Sequence, residues 1–117
     1  MSEETNDIEA LEVVLSCSPI DPADPRAVTP AFEKRFAKAV ITIGRAAGSD
    51  VELVSDVVAR AATRLLVSRD AITLVDNSDT GSTIDGVHDF GERPLLEGQE
   101  VRLGPYALRV RRVRRGP

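Results

Sequence analysis

The stretch Val40-Ile41-Thr42-Ile43-Gly44-Arg45 predicts a β-strand that ends abruptly. Branched apolar side chains favour the extended backbone of a strand. Gly44 interrupts the apolar run, and the small and polar residues 46–50 predict a loop. Binding residues are often carried on loops at the ends of rigid strands, so Arg45 is the first candidate for a functional side chain.

Short apolar segments separated by turn signals continue on both sides of this strand. Turn-forming pairs such as Arg69-Asp70 and Gly98-Gln99 divide the chain at short intervals. Residues 30–38 fit either a helical turn or a strand. Many short strands without a long helix predict an all-β sandwich. The predicted strands are 8–15, 40–43, 51–54, 63–67, 71–75, 100–103 and 107–113.

The length of 117 residues predicts one domain with flanking tails. Residues 1–7 are acidic enough to be a disordered N-terminal tail, residues 8–113 form the domain, and 114–117 are a basic C-terminal tail. Within the domain, residues 18–30 contain prolines that remove backbone donors, so this segment predicts a surface loop.

Composition excludes several classes of protein. With 42% hydrophobic and 29% charged residues, the chain has the composition of a soluble globular domain. No apolar run approaches the roughly 20 residues of a membrane span, so we expect no membrane association and a cytoplasmic location. The single Cys17 cannot form an intramolecular disulfide or a zinc knuckle, and we expect it to be a small buried side chain.

The charge pattern is polarised along the chain. The net charge of -4 combines an acidic start with five arginines between residues 109 and 115. We expect strand 107–113 to be a solvated edge strand, available to extend a partner's sheet. We do not expect a nucleic-acid partner, because the basic stripe is short and has no aromatic stacking platform.

Six landmarks in chain order resemble the forkhead-associated (FHA) family: Ile43-Gly44-Arg45, then 58–62, 76–81, Ile84-Asp85-Gly86, 94–98 and 101–104. The resemblance covers roughly residues 11–112. It implies an FHA-like (SMAD/FHA) β-sandwich of about eleven strands, without catalysis or a cofactor. It further implies that the loops at one end of the sandwich bind a phosphothreonine peptide through charge-assisted hydrogen bonds.

The resemblance assigns the first phosphate residues one by one. Arg45 matches the arginine that family members use beside the phosphate, and Arg60 matches the arginine of the family's Ser-Arg-x-His run. Ala59 stands where the family has a phosphate-binding serine, and Ala62 where it has a supporting histidine. Both hydrogen-bonding groups are therefore missing.

The next loop also departs from the family. Ser78, Asp79 and Thr80 align with the family's Ser-Thr-Asn, so a carboxylate at Asp79 stands where a threonine contacts phosphate. This carboxylate would repel a phosphate or pair with Arg45. Asp85 replaces a family asparagine and lacks its donor. Two carboxylates at the rim favour a basic or neutral partner.

Two functional hypotheses follow. The replacements at 59, 62 and 80 favour a degenerate, phosphate-independent FHA scaffold. The alternative is a phosphothreonine-peptide adaptor in serine/threonine kinase signalling, with Arg45, Arg60, Ser78 and Thr80 as its remaining phosphate site. Both require a protein or phosphoprotein partner, such as a serine/threonine kinase substrate, and neither involves a small-molecule substrate. Under the phosphothreonine-adaptor hypothesis, a phosphorylated Thr5 on the N-terminal tail could dock into the domain's own pocket.

Other motifs carry less weight. Asp79-Thr80-Gly81-Ser82 resembles the active-site tetrapeptide of retroviral-type aspartic proteases, but a polar turn precedes it instead of an apolar strand. Residues 76–87 imitate an EF-hand loop without its final glutamate. His88 has no cysteine or histidine neighbour, so we expect neither a metal site nor a catalytic base.

Overall fold

The computed structural model describes residues 12–55, 58, 63–76, 82–84, 87–89 and 91–113. The predicted tails 1–7 and 114–117 lie outside these ranges. The regular elements of the described residues are all strands, which confirms the all-β prediction. They are β1 Glu12–Pro19, β2 Phe32–Ala37, β3 Val40–Gly44, β4 Val51–Glu52, β5 Thr63–Val67, β6 Ile72–Asp76, β7 Ser82–Ile84, β8 Val87–Asp89, β9 Gly91–Pro94, β10 Val101–Leu103 and β11 Tyr106–Arg112.

The strands form the two sheets of a β-sandwich, as predicted. One sheet has the order β2-β1-β11-β10-β7-β8 and the other β4-β3-β5-β6-β9. Neighbouring strands are antiparallel, except that the short strand β4 pairs in parallel with the end of β3. No helix that could cross a membrane occurs within the ranges given above.

The core lies between the sheets and is mainly aliphatic. Side chains alternate along each strand, so every second residue faces the opposite sheet. In β11, Tyr106, Leu108 and Val110 are at most 3% exposed, and the residues between them face outward. Cys17 is buried in this core, as expected for a lone cysteine without a disulfide or zinc partner.

Several element boundaries differ from the sequence prediction. The first strand continues to Pro19 instead of ending at Leu15, because its ladder with β11 extends that far. The ambiguous segment 30–38 contains strand β2, which pairs with β1. Strands β7, β8 and β9 were not predicted. They are short and polar, and hydrogen bonds to neighbouring strands hold them extended.

Strand β11 is not the solvated edge strand that the arginines suggested. It pairs with β1 on one side, from Pro19 opposite Tyr106 to Val13 opposite Arg112, and with β10 on the other. It is therefore an interior strand of the sheet, paired with β1 along its whole length and with β10 over residues 106–108. Its outward arginines instead cover the outer face of the sheet, where Arg109 pairs with Glu100 at 3.2 Å.

The proline-containing loop 20–31 is fastened to the sandwich by Tyr106. The buried Tyr106 hydroxyl donates to the Val54 carbonyl oxygen at 2.6 Å and accepts the Thr29 N–H at 2.9 Å. Thr29 Oγ1 accepts the Val54 N–H at 2.9 Å, which closes the group. A backbone hydrogen bond from Ile20 to Pro105 holds the start of the loop. The loop is thus attached at both ends.

Replacing Tyr106→Phe should lower the free energy of unfolding by about 1–2 kcal/mol, because two partners in a partly buried setting lose the hydroxyl while the ring still packs. Urea unfolding followed by circular dichroism measures the loss, and limited proteolysis should show faster cleavage within loop 20–31. A Tyr106→Phe variant as stable as the parent would contradict the structural role of this hydroxyl.

The Cys17 thiol should react slowly with iodoacetamide in the folded protein. Burial raises the pKa of Cys17 from 9.0 to about 12, so the reactive thiolate is scarce at pH 8.5. Mass spectrometry of alkylated protein should show fast labelling only after unfolding in urea. Since the folded pKa is raised, the stability that this thiol contributes is complete below pH 9 and is lost as the pH rises toward 12. Labelling at equal rates in native and unfolded protein would contradict this burial.

Candidate partner-binding site

One row of paired residues crosses four strands at one end of the five-stranded sheet. Ile43 of β3 lies opposite Thr63 of β5, Thr63 opposite Asp76 of β6, and Asp76 opposite Gly91 of β9. Adjacent strands in a sheet are about 4.8 Å apart. Three segments that the sequence analysis singled out therefore connect to one row. They are 45–50 after β3, 59–62 before β5 and 77–81 after β6.

Arg45 is an exposed side chain at the end of β3. Its Nε donates to the Val58 carbonyl oxygen at 3.1 Å. Val58 is itself anchored, with its side chain in the core and its N–H bonded to the Ser55 carbonyl at 3.2 Å. This contact links the β3–β4 loop to the segment before β5 and fixes the direction of the guanidinium. Within the described part of the chain, the terminal nitrogens of Arg45 make no hydrogen bond.

The loop that carries Arg45 is closed at its far end by Asp50. The Asp50 carboxylate accepts the Thr42 N–H at 2.9 Å and Lys38 Nζ at 2.7 Å. In return, the Asp50 N–H donates to Thr42 Oγ1 at 2.9 Å. The hydrogen bond from Lys38, followed by that from Thr42, holds the pKa of Asp50 below its usual value. Gly48, at φ 94°, takes the left-handed conformation required by the turn.

Polar groups are buried at the end of the sheet beneath the loops. Thr63 is 2% exposed and its hydroxyl donates to the Val75 carbonyl oxygen at 3.2 Å. Asp76, the last residue of β6, is 4% exposed. Buried polar side chains at a strand end fix the positions at which the flanking segments enter and leave. The described residues contain no cluster of three metal-ligating side chains.

Only one of the site residues expected from the sequence can be placed. Arg45 is described, whereas Arg60, Ser78, Asp79, Thr80 and Asp85 lie outside the described residues, as do Ala59 and Ala62. Their roles, including a pairing of Asp79 with Arg45, therefore remain predictions. Along the chain, residues 77–81 lead into Ser82 at the start of β7, whereas residue 85 follows the other end of that strand.

A depression of about 380 Å³ beside Arg45 was not anticipated from the sequence. Its walls include Arg26 and Val28 from loop 20–31, and Val54 and Ser55 from the segment after β4. The Tyr106 hydroxyl brings these two segments together. Tyr106 is the single tyrosine of the chain, and a tyrosine in an apolar strand normally needs a hydrogen-bond partner when buried. The sequence therefore indicated that Tyr106 would need a hydrogen-bond partner, but it did not indicate that Val54 and Thr29 are the partners.

Comparison with known proteins identifies similar folds. No family model and no curated protein matches the sequence. An FHA domain solved in work on phosphothreonine-dependent FHA domain interactions has a TM-score of 0.68 at 23% identity, over 86% of this chain and 95% of that chain. The FhaA FHA domain, complexed with the intracellular domain of Rv3910, has a TM-score of 0.68 at 23% identity, over 85% of this chain and 99% of that chain.

A third similar structure comes from a different setting. The cytoplasmic domain of PscD, a type III secretion sorting platform protein from P. aeruginosa, has a TM-score of 0.71 at 13% identity, over 89% of this chain and 82% of that chain. The three likenesses extend over most of both chains, so the similarity concerns the whole sandwich. At 13–23% identity, this similarity establishes the fold, and the function has to be argued from the site residues.

Replacing Asp50→Asn should loosen the loop that carries Arg45 and lower the free energy of unfolding at pH 7 by about 1 kcal/mol, since the charge-assisted hydrogen bond to Lys38 is lost. Because the folded pKa of Asp50 is lowered, its contribution is complete above the unfolded pKa of about 4 and disappears as the pH falls through the folded value.

Urea unfolding of parent and variant between pH 7 and pH 3 measures this difference, and hydrogen exchange of residues 45–50 reports the loosening. Asp21→Asn is the matched control, because Asp21 is exposed and its loop hydrogen bond to the Ala23 N–H needs only a side-chain oxygen. A stability difference between parent and Asp50→Asn that persists unchanged to pH 3 would contradict the assignment.

Proposed function

We propose that this chain, which has the forkhead-associated fold, is a non-catalytic module that binds a partner protein through the end of the sandwich marked by Arg45. The observation that carries the proposal is the placement of Arg45. Its exposed guanidinium stands at the end of a buried strand and is held in place by the Val58 carbonyl oxygen. Loops on a rigid sheet are the usual means by which sandwich domains present binding residues.

The proposed recognition does not require a phosphate. Ala59 and Ala62 supply no hydrogen bond where the FHA pattern has a serine and a histidine, and Thr80 replaces its asparagine. A hydrogen bond to a charged group contributes about 1.5–3 kcal/mol, so the loss of the serine's bond and of the supporting histidine lowers the selectivity for phosphate. Arg45 remains suited to a carboxylate, which a guanidinium binds in a bidentate manner.

A phosphothreonine adaptor is the second candidate, and the retained Arg45 is the observation that favours it. One structure with the same fold is described by phosphothreonine-dependent interactions, and FhaA is complexed with the intracellular domain of another protein. In contrast, PscD belongs to a sorting platform. Two of these domains are described by their interactions and the third by the platform it belongs to, which supports an interaction role under either candidate.

We further propose that the protein is cytoplasmic and acts without a cofactor. A free buried thiol at Cys17 is compatible with a reducing compartment. The sandwich supports an interaction module over the retroviral-type aspartic protease that Asp79-Thr80-Gly81-Ser82 resembles, since 85–86% of the chain matches two FHA domains.

The proposal predicts that immobilised protein captures a partner from lysate of the cells that produce it, and that treating the lysate with a broad phosphatase leaves the capture unchanged. Arg45→Ala should reduce the captured amount at least about tenfold, because one charge-assisted contact is lost. Quantitative mass spectrometry measures both effects. Arg69→Ala is the matched control, because Arg69 is an exposed arginine between β5 and β6, at the other end of these strands.

Three other results of the capture experiment would contradict the proposal. Capture abolished by phosphatase and by Arg45→Ala would overturn phosphate independence and establish the adaptor. Capture equal for Arg45→Ala and Arg69→Ala would show that this end of the sandwich is not the binding site. If no protein is enriched over a blank support, the interaction role itself is wrong.

A further inference from the structure

We propose that the depression between loop 20–31 and Arg45 binds an unphosphorylated segment of the partner in which Asp or Glu lies next to an aliphatic side chain. This inference rests on the proposed function and names the chemistry that the site would recognise. It adds loop 20–31, and Arg26 in particular, to the binding surface.

The depression is preorganised because its walls are held by internal hydrogen bonds. Loop 20–31 is tied to Val54 by Tyr106 and Thr29, as described above. Within the loop, the Ala27 N–H donates to the Asp24 carbonyl oxygen at 3.0 Å, and Ala27 packs against the core. A peptide that binds here would therefore pay little for ordering the loop.

The charges that line the depression favour an anionic ligand. It contains the guanidinium groups of Arg26 and Arg45. Asp24 binds Arg26 through two contacts, Nε to Oδ1 at 3.1 Å and Nη2 to Oδ2 at 2.8 Å, and thereby holds the guanidinium in one orientation. The described lining contains these two arginines and no carboxylate, and Asp24 beside it balances one of their two positive charges. The Arg26 side chain is 57% exposed and can be reached from solvent.

The depression also exposes apolar surface. Five large hydrophobic side chains are exposed among the described residues, and two of them, Val28 at 63% and Val54 at 43%, line this depression. Covering them with an aliphatic side chain removes apolar surface from water and favours binding. Two exposed valines lie beside two arginines in this depression. This arrangement matches a segment that carries a carboxylate and an aliphatic group side by side.

A carboxylate peptide fits better than the other occupants considered. A phosphate would need the donors that the FHA pattern places at 59 and 62, which are alanines here. The larger depression of about 620 Å³ over β1, β2 and β11 has arginines too, but none of the five exposed large hydrophobic side chains lines it. The basic or neutral partner suggested by Asp79 and Asp85 depends on residues outside the described ranges, whereas the acidic segment follows from charges that are described.

The test is selection from a random, unphosphorylated peptide library displayed on phage, panned on the complete chain. Enriched peptides should share Asp or Glu within two residues of Leu, Ile or Val. Binding of the most enriched sequence, made as a free peptide, is then measured by calorimetry. Arg26→Gln and Val28→Ser should each weaken this binding about tenfold.

Matched controls separate the site from general surface effects. Arg69→Gln removes an exposed arginine between β5 and β6, and Val40→Ser removes a valine that is 40% exposed at the start of β3. Both should bind the peptide as the parent does. Unfolding midpoints of all four variants confirm that the fold is intact, so a loss of binding can be assigned to the contact.

The outcomes distinguish this inference from the proposed function. Peptides without the acidic-aliphatic pair, or binding insensitive to Arg26→Gln and Val28→Ser, would overturn the inference. If Arg45→Ala alone abolishes binding, the proposed function stands and the inference falls. If Arg26→Gln weakens binding and Arg45→Ala does not, the inference stands and the assignment to Arg45 falls. A peptide that binds only when phosphothreonine replaces its acidic residue would overturn both phosphate independence and the carboxylate assignment.

Discussion

The hydroxyl group of Tyr106 is the contact on which the proposed binding end depends. Tyr106 belongs to the six-stranded sheet, whereas Val54 follows β4 of the five-stranded sheet. The same oxygen accepts the N–H of Thr29, so three distant segments meet at one buried atom. Without it, the two sheets would still pack through their aliphatic core, but loop 20–31 would lose its fixed position beside Arg45.

Much of the fold could be predicted because short runs of branched apolar residues between turn signals are a local signal. Strands β3, β5 and β6 were recognised in this way. Strands β7, β8 and β9 carry little alternation, since they are extended by pairing with strands elsewhere in the chain. The error at β11 has a different cause. Alternating arginines show that one face of a strand meets solvent, but they do not show whether its backbone edges are paired.

The site was only partly predictable for a related reason. Arg45 stands directly after an apolar strand, and the FHA resemblance assigns it a role. Arg26, Val28 and Val54 form one surface only after Thr29 and Tyr106, which are 77 positions apart, have met. No local pattern marks such a surface. The FHA landmarks do not mark it either, because they begin at residue 43 and leave loop 20–31 without an assignment.

The pairing of β1 with β11 has a consequence for how the chain folds. These strands are neighbours in the sheet but lie at opposite ends of the described sequence, with Val13 opposite Arg112. Closing so long a loop costs chain entropy before any contact is gained, which makes folding slow. On the ribosome, β1 and β2 can form a hairpin early, but its open edge has to wait for β11. Until that strand emerges, the nascent chain is most exposed to aggregation.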